Sequence, residues 1–164
     1  SAEQTTDSTY NGKGFLQTAF TSSAQALIAT TKVDNSAAST NPAVDSNQFN
    51  SGTNDYACDN TEDKVFLLSE KEATTEDYGF TEYNVSGEGN SRIRVTTDYA
   101  KANYAHGMYH YGYSWYAGWW WLHSPYYDKS NYARYTYSDG SVTGSYDVKL
   151  EIVGVVPALC ISAE

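Results

Sequence analysis

Residues 131–148 read Asn-Tyr-Ala-Arg-Tyr-Thr-Tyr-Ser-Asp-Gly-Ser-Val-Thr-Gly-Ser-Tyr-Asp-Val. Two runs, 131–137 and 141–148, flank Ser138-Asp139-Gly140. An Asp-Gly pair between alternating runs specifies a tight hairpin, because glycine takes positive φ without steric cost and the turn then matches the twist of the strands. The β pattern extends upstream. In residues 109–115 the odd positions are Tyr109, Tyr111, Tyr113 and Trp115 and the even ones are His110, Gly112 and Ser114, so a strand sends every large ring to one face. Downstream, residues 150–161 are apolar apart from Glu151, with Gly154 and Pro157 as punctuation. This reads as the central buried strand, with Pro157 at an edge, a bulge or the strand's end because proline cannot donate to a ladder.

Short helices precede this half. Phe15, Leu16, Ala19 and Phe20 fall at helical spacing, and Ser22 with Gln25 forms a capping box that opens a second helix through Ala26, Leu27 and Ile28. Residues 34–63, rich in Asn, Ser, Thr, Asp and Gly, predict a long surface excursion. Lys64-Val65-Phe66-Leu67-Leu68 predicts a buried strand, and Ser69 with Glu72 is a second capping box starting a helix toward Asp77. Arg92-Ile93-Arg94-Val95 predicts a short strand, after which Thr97 caps a turn of helix through Tyr99, Ala100 and Lys101. The sum is an α+β fold in one domain, residues 1–164, with no internal repeat or dividing linker.

The 164 residues carry 20 Asp plus Glu against 10 Lys plus Arg, a formal charge of -10. An acidic chain lacks the basic footprint that phosphate binding needs, which excludes nucleic acid as a partner. No apolar run reaches the roughly 18 residues of a membrane span, and Ser1 to Asp7 are polar, so no membrane insertion is expected. A start at Ser rather than Met is the mark expected of a processed or excised piece. Residues 1–88 hold 14 acidic and 4 basic side chains, whereas residues 89–164 hold six of each. The aromatics run the other way: 12 of the 16 Tyr and all four Trp lie in residues 99–146. A buried Tyr must satisfy its hydroxyl, so a domain that needed only packing would use Leu, Ile and Phe. Tyr and Trp interleaved with Ser, Gly and Asn are instead the palette of antibody-like recognition surfaces.

The residues offer little to catalysis. His106 and His110 stand four apart, but on strand-like sequence with no Cys or carboxylate at ligand spacing, so no metal is expected there. Asp59, Asn60, Glu62 and Asp63 match no ordered calcium loop. A glycosidase needs two facing carboxylates. Between Glu88 and Glu151 there is no Glu, and of the Asp residues there, Asp98 follows a cap and Asp139 sits in a turn. Cys58 lies in a polar loop and Cys160 in the apolar terminal run, so two independent thiols are expected, and a buried Cys160 would be inert. No enzyme activity and no cofactor are expected.

Two strings are more specific than composition: Trp119-Trp120-Trp121-Leu122-His123-Ser124-Pro125 and Gly154-Val155-Val156-Pro157-Ala158-Leu159. They resemble the signatures of an uncharacterised bacterial domain family with a C-type-lectin-like fold, whose members carry Trp-Trp-Leu-Arg-Ser-Pro and Gly-Val-Arg-Pro-Ala-Leu. The likeness continues through residues 11–20, 65–70, 97–101, 133–135 and 138–142. His123 and Val156 stand where the family has arginine, so buried polar contacts of those arginines do not carry over. The resemblance implies a small mixed or antiparallel sheet, two main helices and long irregular loops. It also implies kinship with formylglycine-generating-enzyme-like folds and with the variable proteins of diversity-generating retroelements, in which mutation of Asn-type codons yields Tyr, Ser, Asp, His and Gly at surface positions. The typical lectin motifs for calcium-dependent sugar binding, Glu-Pro-Asn and Gln-Pro-Asp, do not occur in the chain.

The expected function is a non-catalytic receptor-binding domain, secreted, on a cell surface or displayed on a phage virion, with a protein or glycan ligand. The candidate ligand-binding residues are Tyr109, His110, Tyr111, Trp115, Tyr116, Tyr126, Tyr127, Asp128, Asn131, Tyr132, Tyr135 and Tyr137. Trp120, Trp121, Leu122, Val155, Pro157 and Leu159 are assigned to framework, and Trp119 to either. The rivals are a calcium-independent carbohydrate-binding module of a larger surface protein, and an assembly role that buries the aromatic face against another subunit. The pattern is silent on oligomeric state.

Overall fold

The computed structural model describes residues 14–40, 54–83, 85–109, 116–142 and 144–162. Helices α1 (Phe15–Ala19) and α2 (Ser22–Leu27) open the fold, followed by strands β1 (Ile28–Ala29) and β2 (Thr31–Val33), helix α3 (Ala37–Thr40) and strand β3 (Thr61–Asp63). Two 3-10 turns, Glu72–Thr74 and Glu76–Tyr78, lead to β4 (Arg94–Val95) and helix α4 (Asp98–Ala102). Strands β5 (Gly107–Tyr109), β6 (Tyr116–Gly118), β7 (Trp120–Pro125), β8 (Tyr132–Thr136), β9 (Gly144–Asp147) and β10 (Cys160–Ile161) complete the order. They form small antiparallel sheets, β1-β10, β2-β3, β4-β6-β5 and β7-β8-β9.

The hairpin read from residues 131–148 is β8-β9, with Tyr135 opposite Gly144 and Tyr132 opposite Asp147. Its turn is closed by Asp139, whose Oδ1 accepts from the Ser141 amide at 2.9 Å and hydroxyl at 2.8 Å. Gly140 takes φ +81, and a Cβ there would come within 2.3 Å of Asn90 Cγ, so both the conformation and the close approach require glycine. The helix ends also follow from side chains. Thr97 accepts from the Ala100 amide, and Ser69 and Glu72 exchange amide bonds of 3.1 and 2.7 Å, although that reciprocal box opens only a 3-10 turn. The cap of α2 is Thr21, one residue before the Ser22 expected.

The core has two parts. Ala73, Tyr83, Trp120, Leu122 and Val142 form one cluster, and Leu16, Ile28 and Val65 the other. Arg92, fully buried, locks the first from beside it: its guanidinium donates to the main-chain oxygens of Gly140, Ala73, Thr81, Glu82 and Val85. Its own carbonyl accepts from Trp120 Nε1 at 3.0 Å.

Five expectations from sequence are corrected. Residues 150–161 are not a central strand. They pair in turn with three different partners: Gly154 bridges Trp120 in parallel, Ala158 bridges Phe66, and β10 lies on β1. Pro157, without an N–H, and Gly154, without a side chain, break the run, and the apolar residues lace separate parts of the core instead, with Val156 and Leu159 packed on one cluster each. Val155, expected inside, is 64% exposed, and Cys160 is exposed. Residues 64–68 likewise form no strand beyond the Phe66 bridge. The polar excursion of residues 34–63 is not wholly superficial, since Ser39 and Thr40 of α3 are buried, Ser39 bonds Ser69 at 2.9 Å, and Asn54 donates to the Pro125 carbonyl at 3.0 Å.

Candidate functional site

Strand alternation divides the aromatic residues of the second half into two clusters. Ala133 and Tyr135 of β8 point to one face of the β7-β8-β9 sheet, and Tyr132 and Arg134 to the other. On the first face the Tyr135 ring lies 5.9 Å from Trp121, 5.4 Å from Trp119, 4.8 Å from Tyr137 and 6.2 Å from Tyr146. Such spacings are those of favourable ring pairs. Gly144 makes room for them, since a Cβ there would sit 2.6 Å from the Tyr135 ring and 2.8 Å from that of Tyr137. His106 stacks on the outer side of the group, 4.6 Å from Trp119.

Tyr135, expected at the binding surface, is 1% exposed and is the floor of this cluster, because rings from both neighbouring strands close over it. Burial and a hydrogen bond with Tyr137 hold its phenol well above the usual range. Trp121, assigned to framework, is only half-buried and belongs to the outer wall with Trp119 and Tyr137, while Tyr146 is 44% exposed. Trp120, Leu122 and Ser124 alternate with them and are buried on the core side, as β7 requires.

The second cluster is built on the loop that joins β7 to β8. Tyr126 pairs with Tyr127 at 4.7 Å and with Tyr132 at 6.4 Å, and the Tyr126 amide donates to the Tyr132 carbonyl at 2.9 Å. All three rings are half-buried, whereas Asp128, Lys129, Ser130 and Asn131 between them are exposed. Lys129 reaches over Tyr132 at 4.7 Å and over Tyr126 at 5.9 Å. Asn131 donates to Asp147 Oδ2 at 2.8 Å, and Asp147 Oδ1 accepts from the Lys149 amide, so its carboxyl lies below the usual range.

Beneath this loop runs a charged pair. The Glu70 carboxylate, with no solvent exposure, faces Arg134 Nε at 3.5 Å, and the guanidinium carbon lies 4.8 Å from the Tyr126 ring centroid. Burial pushes the Glu70 carboxyl up to about 7, against the opposing pull of Arg134. His123 lies 3.7 Å from Glu72. Burial raises the Glu72 carboxyl, but His123 and the Ser69 hydrogen bonds outweigh it and leave it low.

Of the remaining expected site residues, Tyr109 and Tyr116 are backbone partners in the β5-β6 register, while His110, Tyr111 and Trp115 lie outside the described residues. Residue patterning had not singled out Glu70, Arg134, Lys129 or Tyr146; only the position of Tyr146 in the hairpin run marked it. Among the described residues no three His, Cys, Asp or Glu side chains are grouped to hold a metal, and no helix is long and apolar enough to cross a membrane. Cys58 and Cys160 are free and exposed. A groove of about 790 Å³, lined by Phe15, Ala19, Val65, Tyr99, Val153 and Val155 among others, contains none of the expected site residues.

These features define an α+β domain of small antiparallel sheets and short helices that presents two aromatic clusters. The profile of a family described as a domain of unknown function, DUF6273, matches residues 6–163, and the chain belongs to that family. No curated protein and no solved structure matches the chain.

Proposed function

We propose that the chain is a non-catalytic ligand-binding domain of C-type-lectin-like fold that recognises a protein on another cell or surface through its two aromatic clusters. The observation that carries this reading is the loop of residues 126–132. It holds three half-buried tyrosines around exposed polar residues. Rigid rings give large contact area at little entropic cost, and Asp128, Asn131 and Lys129 add adaptable polar contacts. Trp121, Tyr137 and Tyr146 extend the surface on the opposite face of the sheet. The chain acts in a secreted, cell-surface or virion-displayed setting, and its Tyr, Ser, Asp and Asn content between residues 104 and 147 matches the output of retroelement diversification.

A glycan is the second reading, favoured by the exposed Asn131–Asp147 pair beside Tyr132, since planar polar groups next to a ring suit sugar hydroxyls. Ring geometry favours protein: Tyr126 is inclined 49° to Tyr127 and 47° to Tyr132, whereas flat stacking on a sugar needs coplanar rings. The test screens the labelled full chain against a glycan array and a displayed library of bacterial surface proteins, then titrates the tightest hit into chain carrying 13C-labelled tyrosine. A protein hit that perturbs the Tyr126, Tyr127 and Tyr132 ring signals supports the proposal, and a glycan hit on the same rings supports the second reading. A hit that leaves those rings unperturbed overturns both.

A further inference from the structure

The geometry points to Glu70 and Arg134 as positioning residues that set the orientation of the Tyr126 ring, and through it the whole tyrosine loop. This rests on the reading of that loop as the recognition surface. The support is layered. Glu70 is fully buried, its amide donates to Ser124 Oγ on β7 at 2.8 Å, and neither carboxylate oxygen accepts a hydrogen bond. The carboxylate therefore interacts through charge, with Arg134 Nε at 3.5 Å. Arg134 is itself buried in β8, and its guanidinium lies 4.8 Å from the Tyr126 ring centroid, a cation–π distance. Above the loop, Lys129 lies 5.9 Å from the same centroid, so Tyr126 is in cation contact with both a buried and an exposed side chain. The ring in turn pairs with Tyr127 and Tyr132.

Removing the negative charge of Glu70 takes away the attraction that holds the guanidinium in register, and the Tyr126 ring resting on it shifts. Removing the hydrogen-bonding shape of the side chain does little, since the oxygens accept no bond. Charge rather than packing is thus the coupling, and the coupling follows pH. The charged and titratable groups on the packed elements are Arg134 on β8, His123 on β7, and Lys71 and Glu72 beside Glu70; Lys129 and the phenols of Tyr126, Tyr127 and Tyr132 lie above. Of these, Arg134 is the charge that acts on Glu70, and His123 engages Glu72 instead.

The test needs no ligand, so its failure is separate from failure of the binding proposal. Full chain with 13C-labelled tyrosine and 15N-labelled arginine is followed by NMR from pH 5 to 9. Expected is a common transition of the Arg134 Nε–H and Tyr126 ring signals with its midpoint at about 7. The transition should persist in His123→Gln, which removes the histidine engaged with Glu72, and vanish in Glu70→Gln. Tyr126 signals that do not move with pH in the wild-type chain overturn the inference, as does a transition lost in His123→Gln. If Glu70→Gln fails to fold, the wild-type and His123→Gln titrations decide alone. A ring that titrates as expected while no ligand perturbs it would leave the positioning role standing and remove the recognition role.

Discussion

Arg92 and Glu70 show two fates of a buried charge. Arg92 lies among five main-chain oxygens, of which those of Gly140, Glu82 and Val85 also accept from Asn90 or Val85, and burial holds its guanidinium below the usual range, with Asp139 opposing. Arg92→Met would strand the Ala73 and Thr81 carbonyls, and since each unsatisfied buried group costs about 1–3 kcal/mol, the expected loss is at least about 2 kcal/mol of folding free energy, read as a lowered urea midpoint. Glu70 has a partner but few bonds, and its carboxyl lies at about 7 when folded against an ordinary 4.5. Between these values the folded chain holds a proton that the unfolded chain has released. Stability from this group is therefore complete below about pH 4.5 and is lost as pH rises to about 7, by on the order of 3 kcal/mol. Glu70→Gln should flatten that slope in urea titrations between pH 5 and 8. Neither residue's role was legible in the sequence. Arg92 alternates with Arg94 as though on an open strand face, and its acceptors come from positions up to 48 residues away.

At the scale of elements, most local signals held where bonding is local, although the box expected at Ser22 and Gln25 gave way to a Thr21 cap. The Asp-Gly turn, the Thr97 cap, and the Ser69 and Glu72 box are each satisfied within a few residues, so their side-chain chemistry is written beside them. Residues 150–161 failed for the opposite reason: an apolar run states that a segment is buried, not which partner it pairs with, and here the partners are three. The β8-β9 hairpin allows a sharper check. At Gly144 a methyl group would meet the Tyr135 and Tyr137 rings within 2.8 Å, so Gly144→Ala should cost about 1–3 kcal/mol by overpacking, measured as a fall in Tm. Tyr135→Ala should cost about 3–5 kcal/mol, as expected of a floor residue rather than a contact residue.

For the whole molecule, the division of labour between halves is chemical. The acidic first half supplies helices α1 to α3, the 3-10 turns and the buried acid Glu70, while the near-neutral second half supplies the β7-β8-β9 sheet and its rings. Composition marked the second half as rich in aromatic residues, but not the division of its sheet rings into two clusters. That division follows from strand parity across a hairpin whose register no composition reveals. Both cysteines are exposed and more than a hundred residues apart in sequence, so a thiol reagent should label Cys58 and Cys160 in the folded chain without denaturant. If the surface is diversified, sequencing the gene across many cells should find substitutions at Tyr126, Tyr127, Asp128, Asn131 and Tyr132, with Trp120, Leu122, Arg134 and Tyr135 fixed. The most direct measurement compares ligand affinity and Tm for the wild-type chain, Tyr126→Ala, Tyr132→Ala and Trp121→Ala, using the hit from the array or display screen. A recognition surface gives affinity losses of tenfold or more for the loop tyrosines with Tm nearly unchanged, whereas unchanged affinity in Tyr126→Ala and Tyr132→Ala would contradict it.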